Sequence, residues 1–220
     1  MAYDQVFFSC DTETGGLPNE KNGTVAFDDV ALTEIAIVVI DNVTLKVIDK
    51  ASWLIKPYKD DLEYNPFAAK VSGITKQMCE EEGQDVKEVH VQVKKFIRKH
   101  CKGAKKGYFV GQKFVEFDIP FMENFFKYCK DDFWKYCERD VKDTMFRSRE
   151  IWPNENKHNL NIICERLGIS YVEAHRALPD TEMTAKVWIE MVKLQRGVNG
   201  TKKEDGKKEE AKRVNFEIDK

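Results

Sequence analysis

A chain of 220 residues, 42% hydrophobic and 34% charged, suits one domain plus a tail and can bury a sizeable core. Its 36 basic and 38 acidic residues leave a formal charge of −2, which excludes the strong basic bias of a protein that coats long nucleic acid. Six cysteines, at 10, 79, 101, 129, 137 and 164, form no CxxC pair and no zinc-like Cys/His spacing. Met1 to Cys10 lacks the charged-then-apolar pattern of a signal peptide, and no apolar run of about 18 residues could span a bilayer. The chain therefore reads as cytoplasmic, with free thiols and no membrane partner.

In chain order, Val6 to Cys10 is a short apolar run and reads as a buried strand. Leu17 to Val30 carries Pro18, Asn19, Asn22 and Gly23 and reads as a loop. Ile35 to Ile40 is nearly all apolar and β-branched, the pattern of a central strand, and Asn42 marks the turn into an antiparallel partner, Val47 to Ile55. Pro66 to Val71 suits a short helix. Apolar residues at 86, 89, 93, 96 and 97 give Val86 to His100 a helical period. Gly107 to Val110 reads as a strand and Phe117 to Cys129 as a helix with Pro120 in its first turn. A brief strand at Val141 precedes a helix over Thr144 to Ile151. A further helix spans Asn159 to Leu167, stopped by Gly168, and a long amphipathic one spans Pro179 to Leu194. Strands followed by alternating helices and strands predict an α/β fold, a mixed central β-sheet flanked by helices. The domain spans 1–196. Residues 197–220 are rich in Gly, Lys and Glu and read as a disordered charged tail.

Three segments carry chemistry. Asp11-Thr12-Glu13-Thr14-Gly15-Gly16 follows the first strand directly. Strand alternation points Asp11 and Glu13 the same way, and two such carboxylates repel unless a hard divalent cation sits between them. The glycines permit close approach of backbone to a ligand. Gly111-Gln112-Lys113-Phe114-Val115-Glu116-Phe117-Asp118 runs from a strand end into a helix, which would set Asp118 at the edge where α/β sheets bind ligands. His175-Arg176-Ala177-Leu178-Pro179-Asp180 opens the last helix, with Asp180 in its first turn and His175 on the preceding loop, where a neutral imidazole suits a general base. Each signal has a plainer reading, as a solvated acid pair, a helix cap or an exposed loop histidine. Together they point to a metal-bearing site.

The three motifs in this order resemble the DEDDh (DnaQ-like) 3′→5′ exonucleases of the RNase H-like superfamily. Asp11 and Glu13 match the first motif, Phe117-Asp118 the second, and His175, Ala177 and Asp180 the third. Glu34-Ile35-Ala36, Gly73-Ile74-Thr75, Asp143-Thr144 and Leu167-Gly168-Ile169 are similar to further landmarks, so the resemblance covers about residues 4–195. It departs at Gln112-Lys113, where the family often has His-Asn, and in a longer 17–30 loop with Phe27 as a candidate stacking group.

The resemblance implies an RNase H-like fold and two Mg²⁺ ions, replaceable by Mn²⁺, held by Asp11, Glu13, Asp118 and Asp180. His175 is then the general base. Thr14, Gly15, Gly16 and Gln112 meet substrate. The reaction is hydrolysis at the 3′ end of single-stranded or frayed nucleic acid, DNA favoured, releasing nucleoside 5′-monophosphates. Partners would be that 3′ end and a DNA polymerase or other replication protein, in a setting of replication or repair. Two alternatives stay open: an RNA-trimming exoribonuclease of the same family, and a catalytically silent module that binds nucleic acid or a polymerase. The basic residues from Lys94 to Lys106 read either as a track for the strand or as a solvated helix face.

Overall fold

The structure is a computed structural model and describes residues 6–21, 24–101, 106–171 and 176–197. Five strands form one sheet: β1 (Val6–Thr14), β4 (Leu32–Asp41), β5 (Lys46–Leu54), β6 (Tyr108–Gly111) and β7 (Lys142–Asp143), in the order β5-β4-β1-β6-β7. β1 pairs antiparallel with β4 and parallel with β6. β6 is parallel to β7, so β1, β6 and β7 share one carboxyl edge. The α/β expectation of a mixed sheet flanked by helices holds.

β4 is buried from Leu32 to Ile40, as a central strand covered on both faces requires. Alternation sends Ile35, Ile37 and Val39 to one face, where they pack with Phe8 and Cys10 of β1 against α3 (Val86–His100) and α4 (Asp118–Tyr128). Val38 and Ile40 face the other way, against Ala185, Trp188, Ile189 and Val192 of α7 (Ala177–Gln195). A smaller cluster joins α7 to α6 (Leu160–Leu167) through Ile163, Cys164, Met183, Val187 and Met191. Gly168 ends α6 in the left-handed region at φ 67°, where a glycine carries no Cβ penalty.

Several boundaries differ from the sequence reading. β1 runs on to Thr14 because its backbone ladder with β4 continues through the acidic residues, pairing Asp11 with Ala36 and Glu13 with Glu34. An apolar-run criterion stops at the first carboxylate. The 17–30 segment holds a hairpin, β2 (Asn19–Lys21) with β3 (Thr24–Ala26), formed by backbone pairing without a hydrophobic alternation to announce it. Phe27 is partly buried, with its ring packed edge-on against Phe121 at 5.3 Å beside the core.

Besides α1 (Pro66–Ser72), a helix α2 (Lys76–Glu82) escaped notice. It buries only Cys79, so it lacks an apolar stripe, and its start is marked by Thr75, whose hydroxyl accepts from the Met78 N–H. The last strand is β7 rather than Val141 itself, followed by α5 (Thr144–Ile151).

The six cysteines are all free. Among the described residues no helix is long and apolar enough to cross a membrane. Residues 198–220, read as a disordered tail, lie outside the described residues.

Candidate active site

The carboxyl end of β1 is a meeting point of three elements. α4 begins at Asp118, which is 2% exposed. Its carboxylate does not cap the helix. Oδ1 instead accepts from the Thr12 backbone N–H at 2.9 Å and the Thr12 hydroxyl at 2.6 Å. That pair of bonds locks the second motif onto the first. α7 is attached from the opposite face, where the Ser9 hydroxyl donates to the Thr181 carbonyl at 3.2 Å. Thr181 follows Asp180, and Ser9 lies two residues before Asp11 on the same side of the strand. The site therefore straddles β1: Asp11, Glu13 and Asp180 on the α7 side, Asp118 on the α4 side.

The electrostatics match this placement. Burial holds the Asp11 carboxyl well above the ordinary carboxylate range, reinforced by the negative charges of Asp118, Glu13, Asp180 and Glu34. Burial also pushes Asp118 up, to about 7, with Glu13 adding to the rise and the Thr12 bonds opposing it. Cys10, buried beneath both, is driven upward for the same reasons. Among the described residues no three carboxylate, imidazole or thiol groups are already drawn into a closed ligand set. Thr12 holds one oxygen of Asp118. The donors are all oxygens and mutually repulsive, and Asp11 has no basic partner among the described residues. That chemistry fits hard divalent cations.

A second buried acid anchors the start of α7. Glu34 sits opposite Glu13 across β1 and β4 and is 3% exposed. Arg176 grips it in a fork, Nε to Oε2 at 3.0 Å and Nη2 to Oε1 at 2.9 Å, and the Ala177 N–H adds a third bond at 3.2 Å. The pair ties the first turn of α7, and so Asp180, to the central strand. Glu34 had stood in the sequence only as part of a strand landmark, and Arg176 as a spacer between His175 and Ala177. A buried acid beside a motif acid was the signal available, and only the strand register reveals it.

The residues expected to meet substrate are held in place by hydrogen bonds within the protein. The Gly15 N–H donates to the Ala31 carbonyl at 2.7 Å and its carbonyl accepts from Asn65 at 2.5 Å. A Cβ there would meet the Glu63 carbonyl oxygen at 2.2 Å, so glycine is required by packing within the protein. The Thr14 hydroxyl donates to the Gly16 carbonyl at 2.7 Å. The Gln112 amide donates to the His158 carbonyl at 2.9 Å and its oxygen accepts from Thr144, which braces the loop before α6. Asp143 accepts from Phe114 N–H at 2.8 Å and caps α5, a role its place as a mere landmark did not suggest. His175 lies outside the described residues.

Three of the basic residues of α3 are engaged inside the protein. Lys94 pairs with Asp131 at 3.2 Å, Lys99 with Asp49 at 2.8 Å, and Arg98 lies over the Tyr136 ring. This favours the helix-face reading for them. Lys102 and Lys105 lie outside the described residues.

The mixed five-stranded sheet flanked by helices is the RNase H-like fold. The chain matches the exonuclease family RNase_T over residues 8–188 and belongs to it. It is 26% identical over 189 residues to the PolC-type DNA polymerase III of Staphylococcus aureus (strain bovine RF122 / ET3-1), covering 86% of this chain and 11% of that protein. The Staphylococcus haemolyticus (strain JCSC1435) counterpart is 37% identical over 65 residues, 30% of this chain and 4% of the other. The chain thus spans about a tenth or less of these relatives.

Its fold is shared with an exonuclease I structure at TM-score 0.70 and 21% identity, covering 89% of this chain and 42% of that one. E. coli exonuclease I in complex with a dA16 oligonucleotide gives 0.69 at 20% identity, over 88% and 42%. A 3′-exonuclease described as recognising the histone mRNA stem-loop gives 0.68 at 15% identity, over 89% and 65%.

Proposed function

We propose that this chain is a divalent-metal-dependent 3′→5′ exonuclease acting on single-stranded or frayed 3′ ends and releasing nucleoside 5′-monophosphates. The observation that carries the reading is the acidic set around the end of β1, with Asp11 held well above its ordinary range by burial and by Asp118, Glu13 and Asp180. A fold without a ligand there has no reason to keep so repulsive a cluster, which argues against a silent binding module.

Asp11, Glu13, Asp118 and Asp180 would hold Mg²⁺, with Mn²⁺ as a substitute. Such ions supply positive charge to the scissile phosphate and to both oxygens exchanging on it. The chain's own residues do the rest. Thr12 fixes Asp118, the Arg176–Glu34 fork fixes the start of α7, and the Thr14-Gly15-Gly16 turn abuts the terminal sugar. His175, next to Arg176, takes the proton of the attacking water.

DNA is the favoured substrate, on the likeness to a PolC-type polymerase and to an exonuclease solved with a DNA oligonucleotide. The same likeness makes a DNA polymerase the favoured partner and replication or repair the setting. The comparable fold of an enzyme whose described target is an mRNA stem-loop supports RNA trimming as the second reading. Labelled single-stranded, duplex and mismatched oligonucleotides, as DNA and as RNA, with Mg²⁺ or EDTA, decide between them. Stepwise mononucleotide release from the 3′ end, abolished by EDTA, is the expected result. Absence of metal-dependent release from every substrate overturns the proposal.

A further inference from the structure

A second feature lies on the same carboxyl edge. A groove of about 530 Å³ is lined by Lys113, Arg149, Lys157, Asn156, Asn159 and Glu155, among others. Lys113 lies on the short connection from β6 to Asp118, held at φ 57°. Arg149 lies on α5, which starts from β7, and Lys157 on the loop before α6. Their charges are available. Among the described residues none of the three has a carboxylate partner: Arg149 touches only the Met145 sulfur and the Phe146 ring. The one acid of the lining, Glu155, is taken by Arg166 at 2.9 Å. This contrasts with α3, where Lys94 and Lys99 are paired.

The groove is also a built surface. The buried His158 imidazole is hydrogen-bonded to the Ser148 hydroxyl at 2.7 Å and to the Glu155 carbonyl at 2.9 Å, which fixes the 153–159 loop against α5. Gln112 ties the same loop to the strand end beside Lys113. Because β1, β6 and β7 are successive parallel strands, the groove lies beside the end of β1: Lys113 follows β6, the strand next to β1, and Arg149 lies on α5, which follows β7, one strand further on.

From this we infer that Lys113, Arg149 and Lys157 form a backbone-phosphate track for the single strand upstream of its 3′ end. The inference rests on the exonuclease reading of the acidic site and adds to it where the strand runs. Contacts of this kind hold phosphates and carry no sequence information. In a chain of net charge −2 they would supply the grip that composition alone does not.

The test compares wild type with the Lys113→Ala/Arg149→Ala/Lys157→Ala variant, in two assays. The first is equilibrium binding of fluorescent ten-nucleotide DNA and RNA single strands in EDTA. The second is Mg²⁺-dependent hydrolysis of a dinucleotide and of the ten-nucleotide strands.

The variant is expected to bind the long strands about 10- to 100-fold more weakly. Its salt dependence of log K should flatten by about 2, the single-strand value for three lost phosphate contacts. KM should rise for the long strands alone, with kcat and dinucleotide turnover unchanged. Equal binding and KM in both proteins overturn the track, as does a wild type that binds neither strand. Weakened binding alongside a wild type that hydrolyses nothing keeps the track and removes the exonuclease reading. An equal loss on dinucleotide and long strands also overturns the track, since it would place these side chains at the scissile end.

Discussion

Replacing Arg176 with alanine should unfold the protein more easily before it does anything to chemistry. The change removes two of the three hydrogen bonds to Glu34 and leaves a carboxylate that is 3% exposed with only the Ala177 N–H. Stranding one member of a buried pair costs about 3–5 kcal/mol. Here Arg176 keeps 39% of its side chain in water, so solvent can reach the vacated space and the cost falls to about 2–3 kcal/mol. Glu34→Gln leaves an acceptor for Ala177 and an arginine already half in water, and should cost only about 1 kcal/mol.

The two effects share one interaction. The double variant should therefore lie close to Arg176→Ala alone, well short of the sum. Urea unfolding in EDTA at neutral pH measures all four proteins, and the melting temperature of Arg176→Ala should drop by roughly 4–12 °C. A loss below about 1 kcal/mol, or strict additivity, would refute the clamp. Arg176→Lys separates charge from geometry, since an ammonium cannot reproduce the fork, and it should recover only part of the loss.

Other consequences can be checked on the same preparations. Asp11→Ala and Asp180→Ala should stay folded by circular dichroism and lose nearly all nuclease activity; wild-type rates in Asp11→Ala remove the site assignment. Asp118 is raised above the unfolded value of 3.8, to about 7, so its contribution to metal-free stability is full below about pH 4 and lost as pH rises through 7. Asp118→Asn in EDTA should thus gain on wild type between pH 5 and 8, and a constant difference across that window counts against the burial argument. Gly15→Ala forces the Glu63 carbonyl away from a 2.2 Å contact and should cost about 1–3 kcal/mol, read as a shifted urea midpoint. Thr12→Val removes the 2.6 Å hydroxyl bond to Asp118 while keeping the backbone one, and should raise the Mg²⁺ concentration needed for half-maximal activity.

Much of the molecule could be read from local pattern. The all-apolar Ile35–Ile40 run demanded a central strand, the 86/89/93/97 spacing a helix, and Gly168 a helix end, because each reflects a residue's own periodicity or backbone preference. The acidic residues of the three motifs were legible for the same reason: each stands in a short segment whose spacing has a chemical meaning. Other features are invisible at that scale. Thr12 holding Asp118, 106 residues away, and Arg176 gripping Glu34, 142 residues away, exist only once β1, β4, α4 and α7 are packed. Backbone pairing likewise decided the β2–β3 hairpin and the continuation of β1 through its carboxylates, and backbone groups carry no side-chain signature. Sequence named the acids, since a residue's chemistry is local; the fold alone decided which of them are neighbours and raised the pKa of Asp11 and Asp118, since burial and mutual repulsion are properties of proximity.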